Sequence, residues 1–83
     1  MNHVVVNIQP FLAKQEVNVY QDNECVQSAQ CNIKELPQVC YRLCKEFNIN
    51  QLDVTGFPAF TQKLKNSITS SQFEDFKINV NII

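Results

Sequence analysis

Glycine is almost absent from this chain, and its scarcity excludes several classes of site. The 83 residues include a single glycine and no tryptophan. A P-loop, a dinucleotide-binding G-x-G-x-x-G motif and a G-x-S-x-G nucleophile turn each need more than one glycine, so the sequence contains none of them. The phosphate-cradling loops and serine-hydrolase signatures of many enzymes are therefore missing.

Long apolar runs are missing as well. No stretch approaches the roughly 18 consecutive apolar residues that a membrane-spanning helix requires. The opening residues, MNHVVVN, lack the positively charged region that begins a secretory signal peptide. We therefore expect a cytoplasmic protein with no membrane association, in which the four cysteines are reduced thiols.

Neither sign of charge is in excess. Seven Lys and Arg residues against eight Asp and Glu give a formal charge of −1. A protein that holds nucleic acid by bulk electrostatics usually carries a basic patch or stripe, so nucleic acid is not the favoured partner. Ten Asn and nine Gln residues make amides abundant instead. They alternate with apolar residues, which does not indicate a disordered tract.

The amino-terminal part of the chain predicts three strands. Residues 3–8 are rich in β-branched side chains and apolar on both faces, which is typical of a central strand. Residues 16–20 alternate apolar and polar side chains, and residues 21–24 have turn chemistry. Residues 25–31 form a weaker third strand. The three segments predict an antiparallel meander with short turns.

Helices and strands alternate in the rest of the chain. A helix is predicted to begin near Leu36, next to a proline suited to the first helical position, and to end at Asn48. Residues 49–55 form the fourth predicted strand, a second helix begins at Pro58, and residues 76–82 form the fifth strand. The buried face of the second helix is predicted to consist of Phe57, Phe60, Leu64 and Ile68.

The resulting order, β-β-β-α-β-α-β, defines an α+β fold. Strands separated by a helix are normally parallel. We expect one domain over residues 1–83, with a five-stranded mixed sheet in the order 3-2-1-4-5. The fourth and fifth strands each carry one polar face, so both helices should cover one face of the sheet and leave the other open.

That open face is the predicted functional surface. Its outward residues are mostly uncharged amides and hydroxyls. The candidate binding residues are Asn7, Asn18, Tyr20, Gln51, Asp53, Thr55, Lys77, Asn79 and Asn81. The first two strands are expected to add His3, Val5 and Glu16 to this face. A merely solvated face and a partner-binding or dimer face both fit the pattern.

The four cysteines allow several interpretations. Free cysteine is among the most buried residue types, which favours a role in the packed core. Four thiolates can also close a tetrahedral zinc site, and a disulfide or redox role is the third alternative. The residues concerned are Cys25, Cys31, Cys40 and Cys44.

This element order resembles the core of the ribonuclease H-like fold, in which three antiparallel strands are followed by αβαβ. Short bacteriophage proteins are similar too, with a Leu-x-Val-x-Gly strand end before the second helix, as in residues 52–56. The resemblance implies two-metal phosphodiester chemistry anchored by an Asp on the first strand. Here that strand has no acid, and only Glu35 and Asp53 lie near the family's acidic positions. We therefore expect a non-catalytic member.

The sequence as a whole favours a non-enzymatic protein-interaction module without a cofactor, such as a phage-encoded inhibitor or regulator of a host protein. The alternative is a nucleic-acid-binding relic of a ribonuclease H-like nuclease. The predicted fifth strand lies at an edge of the sheet and carries few charges and no proline, traits of an edge that pairs with another strand. We predict a homodimer, or a partner strand added, at this C-terminal edge.

Overall fold

The computed structural model describes residues 2–70 and 75–83. Five strands and two α-helices follow one another in the predicted order. A short 3-10 turn, Ile33–Glu35, precedes the first helix. The bounds of the elements are β1 His3–Ile8, β2 Gln15–Gln21, β3 Glu24–Cys31, α1 Leu36–Phe47, β4 Gln51–Gly56, α2 Pro58–Ile68 and β5 Asn79–Ile82.

The strands form one sheet in the order β3-β2-β1-β4-β5. β1 pairs antiparallel with β2 and parallel with β4, while β2–β3 is antiparallel and β4–β5 is parallel. The predicted α+β class, mixed sheet and strand order are therefore confirmed. β1 is central, as its doubly apolar sequence indicated.

One face of the sheet is covered by both helices. Helix α1 contacts all three strands of the meander as well as β4, helix α2 contacts β4 and β5, and the helices contact each other. The valines and leucine that point to this face are fully buried, and their removal from water stabilises the fold. They are Val4, Val6, Val17, Val19, Leu52 and Val54.

Local signals set the ends of α1 as predicted. At its start, Pro37 occupies the first turn, as expected of a residue without a backbone N–H. The 3-10 turn before it is closed by a capping box, in which the Asn32 and Glu35 side chains each accept a hydrogen bond from the other's backbone N–H. Asn48 ends the helix in the left-handed conformation, with φ of 55°, and its N–H donates to the carbonyl oxygens of Cys44 and Lys45. Asparagine tolerates this conformation better than most residues, which explains its position there.

The prediction for the buried face of α2 is wrong at two positions. Thr61, Leu64 and Ile68 face the core, whereas Phe57 is 49% exposed and Phe60 is 36% exposed. Phe57 precedes the helix in an extended conformation, so it does not follow the helical repeat. Thr61, four residues later, takes the inward position that Phe60 was expected to fill.

Strand β5 is shorter than predicted. It spans Asn79–Ile82, so Lys77 lies before the strand, outside the paired part of the sheet. Phe76 instead packs edge-on against the ring of Tyr41, and Ile78 is buried. Phe76 therefore contributes to the contact with helix α1, and Ile78 contributes to the core.

The cysteines divide between the two faces of the sheet. Between β2 and β3 the register passes from Tyr20–Cys25 to Val19–Gln27 and skips Val26. This bulge turns Cys25 to the open face, where it is exposed. The core interpretation is therefore wrong for Cys25 and confirmed for the three buried cysteines, Cys31, Cys40 and Cys44.

This separation also removes the four-cysteine zinc site, because one thiol lies across the sheet from the other three. In residues 2–70 and 75–83, no three His, Cys, Asp or Glu side chains are grouped to hold a metal ion. Burial raises the pKa of the Cys40 thiol well above its usual range and that of Cys44 to about 12. Both thiols therefore stay protonated.

Neither helix of the described chain has the length and apolar character that a membrane span needs.

Candidate functional site

The open face brings together most of the predicted binding residues. In the cross-strand register, Val5 lies opposite both Asn18 and Asp53, and Asp53 lies opposite Asn81. Rows of side chains therefore cross the sheet from β2 to β5. The predicted residues that the sheet places on this face are Asn7, Asn18, Tyr20, Gln51, Asp53, Thr55, Asn79 and Asn81.

Asp53 is the centre of a polar cluster on this face. Its Oδ2 accepts from His3 Nδ1 at 2.5 Å, and its Oδ1 accepts from Gln51 Nε2 at 2.8 Å and from Asn81 Nδ2 at 3.4 Å. Only 8% of the residue is exposed. Burial favours the neutral acid, but the hydrogen bonds from His3 and the two amides outweigh it and lower the pKa of Asp53.

The histidine of this cluster is held from two sides. Its ring lies against Tyr20, with the ring centroids 5.4 Å apart, while Nδ1 meets the carboxylate. Sequence reasoning placed His3 on this face but did not pair it with Asp53, which is 50 residues away. The parallel register of β1 and β4 makes the contact, and that register is visible only once the strands are paired.

The remaining polar groups of the open face largely bond to one another. Thr55 donates to Asn7 at 3.0 Å, and Ser28 donates to Asn18 at 2.6 Å. The Asn18 amide in turn donates to Glu16 at 3.1 Å. A partner that docked here would have to replace these internal bonds, so the face offers little net gain from new hydrogen bonds.

A different surface carries exposed apolar side chains. At the carboxyl ends of the parallel strands β1 and β4, the β1–β2 loop and the β4–α2 turn present large apolar residues to solvent. The Phe11 side chain is 87% exposed and meets Phe57 edge-on, with centroids 5.9 Å apart. We call this surface the apolar end; it consists of Phe11, Leu12, Phe57 and Phe60.

Gln15 fixes the loop that carries Phe11. Although polar, Gln15 is only 2% exposed. Its Oε1 accepts from the Gln9 N–H at 2.7 Å, and its Nε2 donates to the carbonyl oxygens of Gln9 at 2.7 Å and of Leu12 at 3.1 Å. The side-chain amide of Gln15 thus forms hydrogen bonds with backbone groups of the loop that would pair with a neighbouring strand if the loop were part of the sheet. The backbone of the loop on both sides of Phe11 is therefore ordered in the folded chain.

Gly56 brings the other half of the apolar end into position. It lies beside Ile8 in the parallel register and has φ of +130°, a conformation that side chains disfavour. A Cβ at this position would lie 2.4 Å from the carbonyl oxygen of Ile8. The close approach of the two strand ends is what places Phe57 next to Phe11.

A groove of about 400 Å³ continues the apolar end between the two helices. A second depression of about 390 Å³ lies beside Phe11, and Ile8 contributes to the walls of both. Lys34 and Lys63 line the groove, and within residues 2–70 and 75–83 no acidic residue lines it. The apolar walls are formed by Ile8, Ile33, Leu36, Pro37, Phe60 and Leu64.

Sequence reasoning missed this surface. The sequence does contain its signals: Phe11 follows Pro10, and Phe57 stands between glycine and proline, so both belong to turns rather than to periodic elements. Large apolar residues in turns have no helix or strand face to pack against. The position of Phe57 at helical spacing from Phe60, Leu64 and Ile68 instead predicted that it faces the core.

Comparisons of the chain with protein-family models, with curated proteins and with solved structures gave no significant match. The geometry of the surfaces described above is accordingly the basis for the proposals that follow.

Proposed function

We propose that this chain is a non-enzymatic protein-interaction module that binds its partner through the apolar end. The observation that carries the proposal is the Phe11–Phe57 pair, which is exposed, in mutual contact and fixed by the folded scaffold. Small domains rarely leave clustered large apolar side chains in water unless a partner covers them. Aromatic residues are also the usual energetic centres of protein interfaces.

The rigidity of the surface supports binding. Ordering a mobile side chain or loop on association costs about 0.5–1.5 kcal/mol per side chain. The Gln15 bonds and the close approach at Gly56 order the backbone that carries Phe11 and Phe57 during folding, which lowers the backbone share of that cost. Burying one exposed Phe side chain contributes roughly 1.5–3 kcal/mol, so Phe11 alone supplies about a fifth to a third of the binding free energy of a micromolar complex.

Charge indicates which partner the surface fits. Lys34 and Lys63 are the charged residues that the described part of the chain contributes to the lining of the groove. A partner segment that has an apolar or aromatic side chain flanked by Asp or Glu would fit here. Its apolar side chain would pack against the apolar walls of the groove, and its carboxylates would pair with the two lysines. Rim charges of this kind act mainly on specificity and on the association rate.

We further propose that the module works in the cytoplasm as a regulator or inhibitor of another protein, for example as a phage-encoded inhibitor of a host protein. The four cysteines are free thiols, which fits a reducing compartment. An inhibitor needs a preformed surface and no catalytic group of its own. The apolar end has this character.

Selection of peptides from a random display library tests the proposal. We expect the immobilised protein to enrich sequences with an aromatic or branched apolar residue next to acids. Phe11→Asp should lose at least tenfold in affinity for the enriched peptides. Val26→Asp is the matched control, since Val26 is also an exposed apolar residue but lies on β3, far from the apolar end in the sheet order.

Two results would contradict the proposal. One is the absence of any enriched sequence. The other is enriched peptides that bind both variants as well as the native protein, which would place the binding surface elsewhere. Circular dichroism of each variant separates lost binding from lost folding.

A second candidate function is a nucleic-acid-binding relic of a ribonuclease H-like nuclease. Its support is the strand order, with β1 central beside the parallel β4, which that fold shares. Tyr20 and His3 on the open face offer rings on which a base could stack. Titration with labelled single- and double-stranded oligonucleotides at ~150 mM salt tests this alternative. Salt-dependent binding there would favour the relic over the protein-interaction module.

A further inference from the structure

Strand β5 leaves one side of its backbone without a partner in the described chain. On its inner side, the Asn79 N–H donates to the Asn50 carbonyl at 2.7 Å and the Ile83 N–H donates to the Val54 carbonyl at 2.9 Å. In a parallel strand the N–H and C=O groups of alternate residues point the same way. Those of Ile78, Val80 and Ile82 therefore point away from the sheet.

We propose that a second copy of the chain pairs with this edge, antiparallel to it, with the two-fold axis at Val80. This inference rests on the strand edge and is independent of the apolar end. The two five-stranded sheets then form one continuous ten-stranded sheet. The occupant is the chain itself because the edge is complementary to its own two-fold copy.

The backbone sets this register. With the axis at Val80, Val80 faces Val80 of the second copy, and Ile78 faces its Ile82. All of these residues direct their N–H and C=O groups outward, so each facing pair exchanges two hydrogen bonds. A shift by one residue would set outward-pointing groups against groups already bonded to β4 and would move side chains to the wrong face.

The side chains agree with the same register. Ile78, Val80 and Ile82 lie on the helix-covered face, where Ile82 is still 37% exposed and gains an apolar neighbour. On the open face, Asn79 stands opposite Asn81 of the second copy. The Asn81 Nδ2 already donates to Asp53, which leaves its Oδ1 to accept from the facing Asn79 amide.

The opposite edge of the sheet is unsuited to such pairing. Strand β3 carries the bulge at Val26 and the charge of Glu24, and both features discourage the addition of a strand. Strand β5 has no bulge, proline or charge between Asn79 and Ile82. Four residues make a small interface, so we expect a dimer that half-forms at on the order of 0.1 mM protein.

Disulfide trapping tests the register. In a Cys25→Ser background, which removes the exposed native thiol, Val80→Cys should crosslink to itself under mild oxidation, because facing Cα atoms about 5.5 Å apart are within disulfide range. Asn81→Cys alone should give only background crosslinking, whereas a mixture of Asn79→Cys and Asn81→Cys protein should form the mixed dimer. Strong self-crosslinking of Asn81→Cys, or no crosslinking above background in any sample, would overturn the proposal.

Sedimentation equilibrium of the unmodified chain gives the second readout. We expect the average mass to rise toward that of a dimer between about 10 µM and 1 mM. Ile82→Lys should weaken the association at least tenfold, because it places a charge in the edge. Val26→Lys, at the opposite edge, should leave it unchanged. A monomer at 1 mM, or equal weakening by both variants, would refute pairing through β5.

Discussion

Gln15 is the buried residue on which the shape of the apolar end depends. Replacing it by Met keeps the volume and length of the side chain but removes its amide. The Gln9 N–H and the carbonyl oxygens of Gln9 and Leu12 then lose their partner. No cavity forms, so the substitution isolates the hydrogen bonds from the packing.

The expected cost follows from the three lost bonds. Each neutral hydrogen bond contributes about 1 kcal/mol net, which gives roughly 3 kcal/mol in total. The released backbone groups lie in an exposed loop and can turn toward water, and the thioether is easier to bury than an amide. Together these offsets return about 1 kcal/mol. We therefore expect Gln15→Met to lower the free energy of unfolding by about 2 kcal/mol.

Urea denaturation followed by circular dichroism measures this change, and thermal unfolding should show a fall of about 8–16 °C for a domain of this size. The matched control is Gln38→Met, on the exposed side of α1, where the two residues have similar helix propensity. It should lie within ±0.5 kcal/mol of the native protein. A Gln15→Met effect as small as that of the control would refute the idea that this amide holds the loop.

Three further predictions follow from the described contacts. Gly56→Ala should cost about 3 kcal/mol or more in urea denaturation, since the methyl group meets the Ile8 carbonyl at a strained φ; a cost below 1 kcal/mol would contradict it. Asp53→Asn should lower stability by about 1–2 kcal/mol at pH 7. Folding lowers the pKa of Asp53, so the stability difference between the two proteins should persist down to about pH 4 and vanish as the pH falls through the pKa of the folded state. A stability difference that grows in acid would show that folding raises this pKa instead. A thiol reagent should label only Cys25 rapidly in the native protein, while the three buried thiols should react at the rate of unfolding.

The sheet could be predicted from the sequence because its signals are local. Alternation in β2 and the doubly apolar β1 gave the strand types, and Asn48 marked the end of α1 by its tolerance of the left-handed conformation. Parallel pairing of strands separated by a helix then left few possible orders. The open face followed from the same alternation, since every second residue of a strand points the same way.

The features that the sequence did not predict are those in which a residue departs from the repeat of its strand or helix, or in which a contact joins distant strands. The bulge at Val26 adds a residue to β3 and turns Cys25 to the other face, and no feature of the sequence alone marks it. Phe57 lies outside the helix that its spacing suggested, because the helix begins at Pro58. The His3–Asp53 contact depends on the register between distant strands. Each of these features is decided by tertiary packing, which periodicity does not report.

The two proposed surfaces together predict how a dimer of this chain binds its partner. The apolar end lies at the carboxyl ends of the parallel strands, whereas the dimer contact runs along the side of β5. Antiparallel pairing of β5 points the carboxyl ends of the two sheets in opposite directions. The two apolar ends of the dimer would then lie on opposite sides. The dimer could bind two partner molecules, one at each end, but both ends could not bind the same partner molecule. A partner with two adjacent binding segments would gain no avidity from dimerisation, because the geometry forbids both to be engaged at once. Linking two enriched peptides by a short flexible linker should therefore leave their affinity within about twofold of the single peptide, and a hundredfold gain would show that the two surfaces are not arranged in this way.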